Sequence, residues 1–169
     1  MKENPMREIR IEKITLNIGC ATDQDQIKRA QKLLQNLSDQ KPVVTITKGR
    51  TTFGTPIAKP MGVKVTLRID KAINFLKDAL QAVDNELKEK QINDDNFSIG
   101  IKEYIDLPKA NYDPEVGILG MDICVTLERP GYGIKRQKNK KLKIGRKHLI
   151  TKNEIIEWLK NKFGVTIIG

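Results

Sequence analysis

The stretch QKPVVTITKGRTTFGTPIAKPMGVKVTLR, residues 40–68, decides how this chain is to be folded. Val43–Thr47 is β-branched throughout and reads as a strand. Val63, Val65, Leu67 and Ile69 alternate with Lys64, Thr66 and Arg68, a strand with one apolar and one basic face. Between them, Lys48–Gly62 carries Gly49, Gly54, Pro56, Pro60 and Gly62. A loop of that length in a compact domain is usually functional or disordered. The stretch holds six basic residues (Lys41, Lys48, Arg50, Lys59, Lys64 and Arg68) and no acidic one.

Working outward, Ile14, Leu16 and Ile18 alternate with Lys13, Thr15 and Asn17, a strand that Gly19 ends. Ile9 and Ile11 alternate on the other phase, which predicts a bulge or bend near Glu12. The polar residues 1–8 read as an arm. Thr22 or Asp23 can cap a helix over residues 25–38, whose Ile27, Ala30, Leu33, Leu34 and Leu37 recur at helical spacing. Lys41-Pro42 stops it. After residue 68, Asp70 is expected to cap a second helix with the stripe Ile73, Leu76, Leu80, Val83 and Leu87. Asp78, Asp84, Glu86 and Glu89 then stay on the helix side, away from the basic face.

Asn93–Asn96 is a polar turn, Phe97–Ile101 a strand, Tyr104–Gly120 mainly connection, and Met121–Leu127 the last long strand. Thr151 to Glu154 forms a capping-box pattern before a short helix with Ile155, Ile156, Leu159 and Phe163. Gly164 closes that helix, and Val165–Ile168 is a terminal strand or docked tail. The order predicts an α+β fold: a mainly antiparallel sheet with helices on one face and the other face open for RNA. The chain reads as one domain, residues 1–169, with a basic C-terminal extension at about 129–169.

The formal net charge is +10, from 31 Lys+Arg against 21 Asp+Glu. Ten of those basic residues lie in residues 129–152, which contain no acid, so the remainder balances at 21 to 21. They are Arg129, Lys135, Arg136, Lys138, Lys140, Lys141, Lys143, Arg146, Lys147 and Lys152. Such segregation points to a polyanionic partner. With few apolar residues, this segment is expected to order only on that partner. Cys20 and Cys124 form no paired motif and read as buried free thiols in a reducing compartment. With no signal-like or membrane-length apolar run, a soluble intracellular protein and no membrane partner are expected.

The open faces of the first three strands would present Lys13, Thr15, Asn17, Thr45, Thr47, Lys64, Thr66 and Arg68. Hydroxyls and amides suit phosphate and ribose 2′-hydroxyls, and the cations release counterions. The face lacks exposed aromatics, so backbone and shape recognition fits better than base stacking. Gly49 and Gly54 bracket a sequence spaced like part of a phosphate loop, but no Lys follows the second glycine and no helix starts there. The apolar Gly117-Ile-Leu-Gly120 reads as a tight connection. His148, the single histidine, lacks evident partners for a triad or zinc site and favours a structural role over an RNA-facing one. Trp158 reads as a packing residue. No catalytic, metal or cofactor site assembles. The rival readings are a phosphate-transfer enzyme cradled at Gly49–Gly54 and a non-specific DNA architectural protein.

Five segments together resemble the universal large-subunit ribosomal protein five family: Ile14–Gly19 (ITLNIG), Gln40–Thr45 (QKPVVT), Gly62–Arg68 (GVKVTLR), Phe97–Glu103 (FSIGIKE) and Gly120–Thr126 (GMDICVT). Arg129–Tyr132 (RPGY) and Ile144–His148 (IGRKH) are similar to the archaeal and eukaryotic branch, whose eukaryotic members are called protein eleven. The resemblance implies a structural protein in the central protuberance of the large subunit, in the cytoplasm. It implies 5S rRNA on the sheet face at Asn17, Gln40, Thr45 and Thr66, with Lys41, Lys64 and Arg68 beside them; strand alternation adds Lys13, Thr15 and Thr47 to the expected rRNA surface, and the basic stretch adds Lys48. It implies contact with large-subunit rRNA, a companion of the protein-eighteen family, and a small-subunit protein at an intersubunit bridge. It also implies that a loop with Arg50, Thr51, Thr52, Phe53, Gly54, Lys59 and Gly62 faces P-site tRNA. The tail residues Arg129, Lys135–Lys143, Arg146, Lys147 and His148 complete the expected basic surface.

Overall fold

A computed structural model describes residues 4–21, 23–50 and 54–168. Thr22 and Thr51–Phe53 therefore lie outside the described residues. The long strand β1 (Arg10–Gly19) is followed by helix α1 (Gln24–Ser38), strands β2 (Val43–Ile46) and β3 (Pro60–Leu67), and helix α2 (Ile69–Gln81). Then come β4 (Glu86–Lys88), β5 (Ile92–Asn93), β6 (Asn96–Ile101), β7 (Met121–Glu128), α3 (Lys152–Phe163) and β8 (Thr166–Ile168). The main sheet has the order β2-β3-β1-β7-β6-β5, antiparallel at every pairing, while β8 pairs in parallel with β4. The fold is α+β, as the sequence pattern requires.

Alternation decides which face is buried. Ile14, Leu16 and Ile18 of β1, Val63, Val65 and Leu67 of β3, and Ile123, Val125 and Leu127 of β7 are all 3% exposed or less. Each such burial stabilises by about 1.5–3 kcal/mol. α1 packs over β3 and α2 over β1, so one core serves both layers. Asp23 caps α1 by accepting from Asp25 N–H at 2.9 Å. The β1–β7 register shifts between Ile11 and Lys13, the irregularity that the phase change around Glu12 predicts.

Several expectations are corrected. β2 ends at Ile46, β3 begins at Pro60, and β3 ends at Leu67, so the loop is shorter and Gly62 lies inside a strand. Arg68, not Asp70, occupies the N-cap of α2, and it makes no side-chain cap. Asp70 sits in the first turn, where its charge suits the helix dipole. The inward face of α2 is Ala72, Phe75, Leu76, Ala79 and Leu80, and Ile73 is 39% exposed. The two alanines allow close approach to the sheet, which rotates the helix away from the stripe of large residues. α2 stops at Gln81, and Leu87 is buried from β4 instead. Cys20 is buried, but Cys124 is exposed because it falls on the open phase of β7.

The basic segment is not wholly unpacked. Tyr132 and Ile150 are 5% and 1% exposed and belong to the core, and Arg129 is 4% exposed. Arg129 donates to the carbonyls of Arg7 (3.1 Å), His148 (3.3 Å) and Leu149 (3.1 Å) and to Glu154 Oε1 (2.8 Å). Tyr132 Oη accepts from Ile150 N–H at 3.1 Å. These bonds pin both ends of the segment and leave its middle exposed.

Candidate nucleic-acid interface

Strand register assembles the open face into rows. Thr66 of β3 lies opposite Thr15 of β1, Thr15 opposite Cys124 of β7, and Cys124 opposite Ser98 of β6. A second row runs Val43, Lys64, Asn17, Asp122, Gly100. A third joins Lys13, Thr126 and Asn96. Neighbouring strands are about 4.8 Å apart, so each row offers a polar group at nearly that interval. Lys64 and Arg68 are exposed, and Lys13, Thr15, Asn17, Thr45 and Thr66 are half-buried. β1 and β3 thus place these side chains on the open phase, except Arg68, which follows β3 at the N-cap of α2. The sequence expectation missed the other half of the face, Asn96, Ser98, Cys124 and Thr126, although the same alternation marks it. Val43, 59% exposed beside Lys64, is an apolar exception on this face.

The other expected residues are distributed differently. Gln40 and Lys41 stand at the α1–β2 junction with Asp39, at the sheet's margin. Thr47 is not free for a ligand: its hydroxyl donates to Pro56 O at 2.7 Å and accepts from Lys59 N–H at 3.1 Å. Thr47 N–H also donates to Lys59 O at 3.0 Å, and Ala58 N–H to Thr47 O at 3.1 Å. Thr47 and Lys59 therefore clamp the base of the β2–β3 loop, in which Lys48, Arg50 and Gly54 are exposed. Gly62 is removed from the loop set; it is buried in β3 opposite Thr45 and Gly19.

Within the tail, Arg129 turns inward, as above. His148 is structural: its Nε2 lies 2.9 Å from Pro130 O and its ring meets Tyr132 edge-on. Arg136 bridges Glu12, at 3.0 Å, and Glu128. Those two carboxylates border the end of the face where Lys13 lies, and Arg68 reaches Glu12 O at 3.4 Å. Lys138, Lys140, Lys141, Lys143, Arg146 and Lys147 stay exposed. Arg136 thus joins two basic regions that are far apart in sequence into one surface.

Among the described residues no cluster of three His, Cys, Asp or Glu can hold a metal, and no helix is long and apolar enough to cross a membrane. Two family models match the chain: ribosomal protein L5 over residues 4–51 and the ribosomal L5P family C-terminus over residues 60–158. The chain belongs to the ribosomal protein L5 family. It is 46% identical to the large ribosomal subunit protein uL5 of Archaeoglobus fulgidus, over 94% of this chain and 90% of that one. It is also 46% identical to the uL5 of Nanoarchaeum equitans (98% and 99% covered), and 44% identical to that of Sulfolobus acidocaldarius (99% and 95%). Membership of the L5 family makes this a structural protein of the ribosome and not an enzyme. The Gly49–Gly54 segment is accordingly no catalytic cradle.

Proposed function

We propose that the open face docks the chain onto 5S rRNA and helps attach that RNA in the central protuberance of the large subunit. The carrying observation is the helix-free face on which strand register sets Lys13 and Lys64 among Thr15, Asn17, Thr45 and Thr66, with Arg68 exposed just past the end of β3. Cations neutralise phosphates, while short hydroxyl and amide groups set register against phosphate and 2′-hydroxyl oxygens. The β2–β3 loop, tied at Thr47 and Lys59, approaches P-site tRNA with Lys48 and Arg50 exposed. The exposed tail lysines meet large-subunit rRNA, and companions of the protein-eighteen family and a small-subunit bridge protein complete the assembly. Its place is the cytoplasmic ribosome.

The test is binding of 5S rRNA to the full chain and to a Lys64→Ala/Arg68→Ala variant across a salt series. The variant is expected to bind more weakly with a flatter salt dependence. Unchanged affinity and slope would remove the sheet face from the reading. Duplex DNA competing equally with 5S rRNA at physiological salt would favour a general architectural role instead.

A further inference from the structure

Away from the open face, a groove of about 630 Å³ runs between the start of β1, the start of α2 and α3. Its apolar lining includes Ile69, Ile73, Trp158 and Phe163. Ile69 and Ile73 are 76% and 39% exposed, unusual for large aliphatic side chains that share one hollow. The Trp158 Nε1–H is shut off from water and has no acceptor among the described residues. The rim is basic. Arg10, Lys77 and Lys162 line it against the single carboxylate of Glu8, which Arg10 already pairs at 2.7 Å. Lys77 and Lys162 make no ion pair among the described residues.

We propose that this groove is a docking site for a short acidic-apolar peptide segment of a partner protein. Aliphatic or aromatic side chains of the segment fill the space over Ile69, Ile73 and Phe163. Its carboxylates face Lys77 and Lys162. The volume accommodates a few side chains, not a folded domain. RNA fits less well. The Lys162 ammonium already stands 5.7 Å from the Trp158 ring centroid and Phe163 meets the ring edge-on, so a base stacking on Trp158 competes with contacts already made. The floor is aliphatic where a phosphate needs donors.

Trp158 is the only tryptophan, so its fluorescence reports on the groove in the unmodified chain. The probe is a capped peptide alternating Asp or Glu with Leu and Phe, compared with a version carrying Lys for each acid and one carrying Ser for each apolar residue. The acidic-apolar peptide is expected to give a saturable change that both controls lack. Ile73→Asp, an exposed position, should weaken it at least about tenfold. Lys77→Glu/Lys162→Glu should transfer the preference to the lysine peptide, a gain that misfolding cannot produce. Lys64→Ala/Arg68→Ala should leave the response intact. No saturable change below about 1 mM peptide, an equal response to the lysine version, or a stronger response to an oligoribonucleotide would overturn the proposal. A change driven by protein concentration alone would overturn it in favour of self-association.

Discussion

Two positions on β3, Gly62 and Thr66, carry opposite kinds of constraint. Gly62 is required by space: a Cβ there would lie 2.5 Å from Ile18 O and 3.2 Å from Thr45 Oγ1. Gly62→Ala must push β1 and β3 apart, and is expected to lower unfolding free energy by about 1–3 kcal/mol in urea denaturation. Thr66 is constrained by what it presents. Its Cβ branching suits the strand, and its hydroxyl stands half-exposed in the row with Thr15. Thr66→Val keeps the shape and removes the hydroxyl. It is expected to weaken 5S rRNA binding by roughly 1 kcal/mol with little change in melting temperature, read from parallel binding and thermal scans. No loss would leave Thr66 as a strand former only.

At the scale of elements, the basic extension depends on one buried guanidinium. Arg129 ties the N-terminal segment at Arg7, the tail at His148 and Leu149, and α3 through Glu154. Arg129→Met removes the donor to the Arg7 and Leu149 carbonyls, leaves the His148 carbonyl with Tyr132 alone, and takes the ion-pair partner from Glu154, which keeps Thr151. It should destabilise by about 2–3 kcal/mol, less than a fully buried pair because Glu154 keeps some water. Faster amide exchange at residues 145–151 would locate the loss in tail docking. Burial pushes the Glu154 carboxyl up. The Thr151 N–H, the Arg129 hydrogen bond and the Arg129 charge outweigh it, and the net result lies below the ordinary value of 4.5. A carboxylate with a lowered folded pKa stabilises above its unfolded pKa and loses that contribution as pH falls through the folded one. Part of the acid destabilisation below about pH 4.5 should therefore vanish in Glu154→Gln, measured as a shallower fall of melting temperature with pH.

For the whole molecule, charge is segregated by face and by segment. The sheet face carries Lys13 and Lys64 with Asp122 beside them, and the tail holds the excess of cations. Replacing Lys138, Lys140, Lys141 and Lys143 with Gln should reduce the slope of log affinity for ribosomal RNA against log salt by up to about 3. The melting temperature should stay unchanged, because these side chains are exposed. A constant slope would place the tail lysines away from RNA. Much of the architecture was legible because β alternation is strict in β3, in β7 and in β1 beyond its bulge at Glu12, where every second residue is apolar. α2 was less so: Ile73 and Val83 match the helical period as well as Phe75 and Ala79 do, and only the sheet beneath decides which face turns in. Arg129 was unreadable for a related reason. Its charge resembles that of its neighbours, and its inward position depends on four acceptors drawn from three distant segments.

The sequence by itself determined the α+β class, the polar phase of the strands around residues 40–68 and the location of the net charge, because these follow from local periodicity and counting. Only the tertiary structure decided that β6 and β7 extend that face, that Thr47 and Gly62 serve the frame instead of the ligand, and that Arg136 brings the tail to the sheet. Those outcomes depend on register and on pairings between residues as far apart as Glu12 and Arg136. Such pairings are set by packing the whole core, and no local window of the chain encodes them.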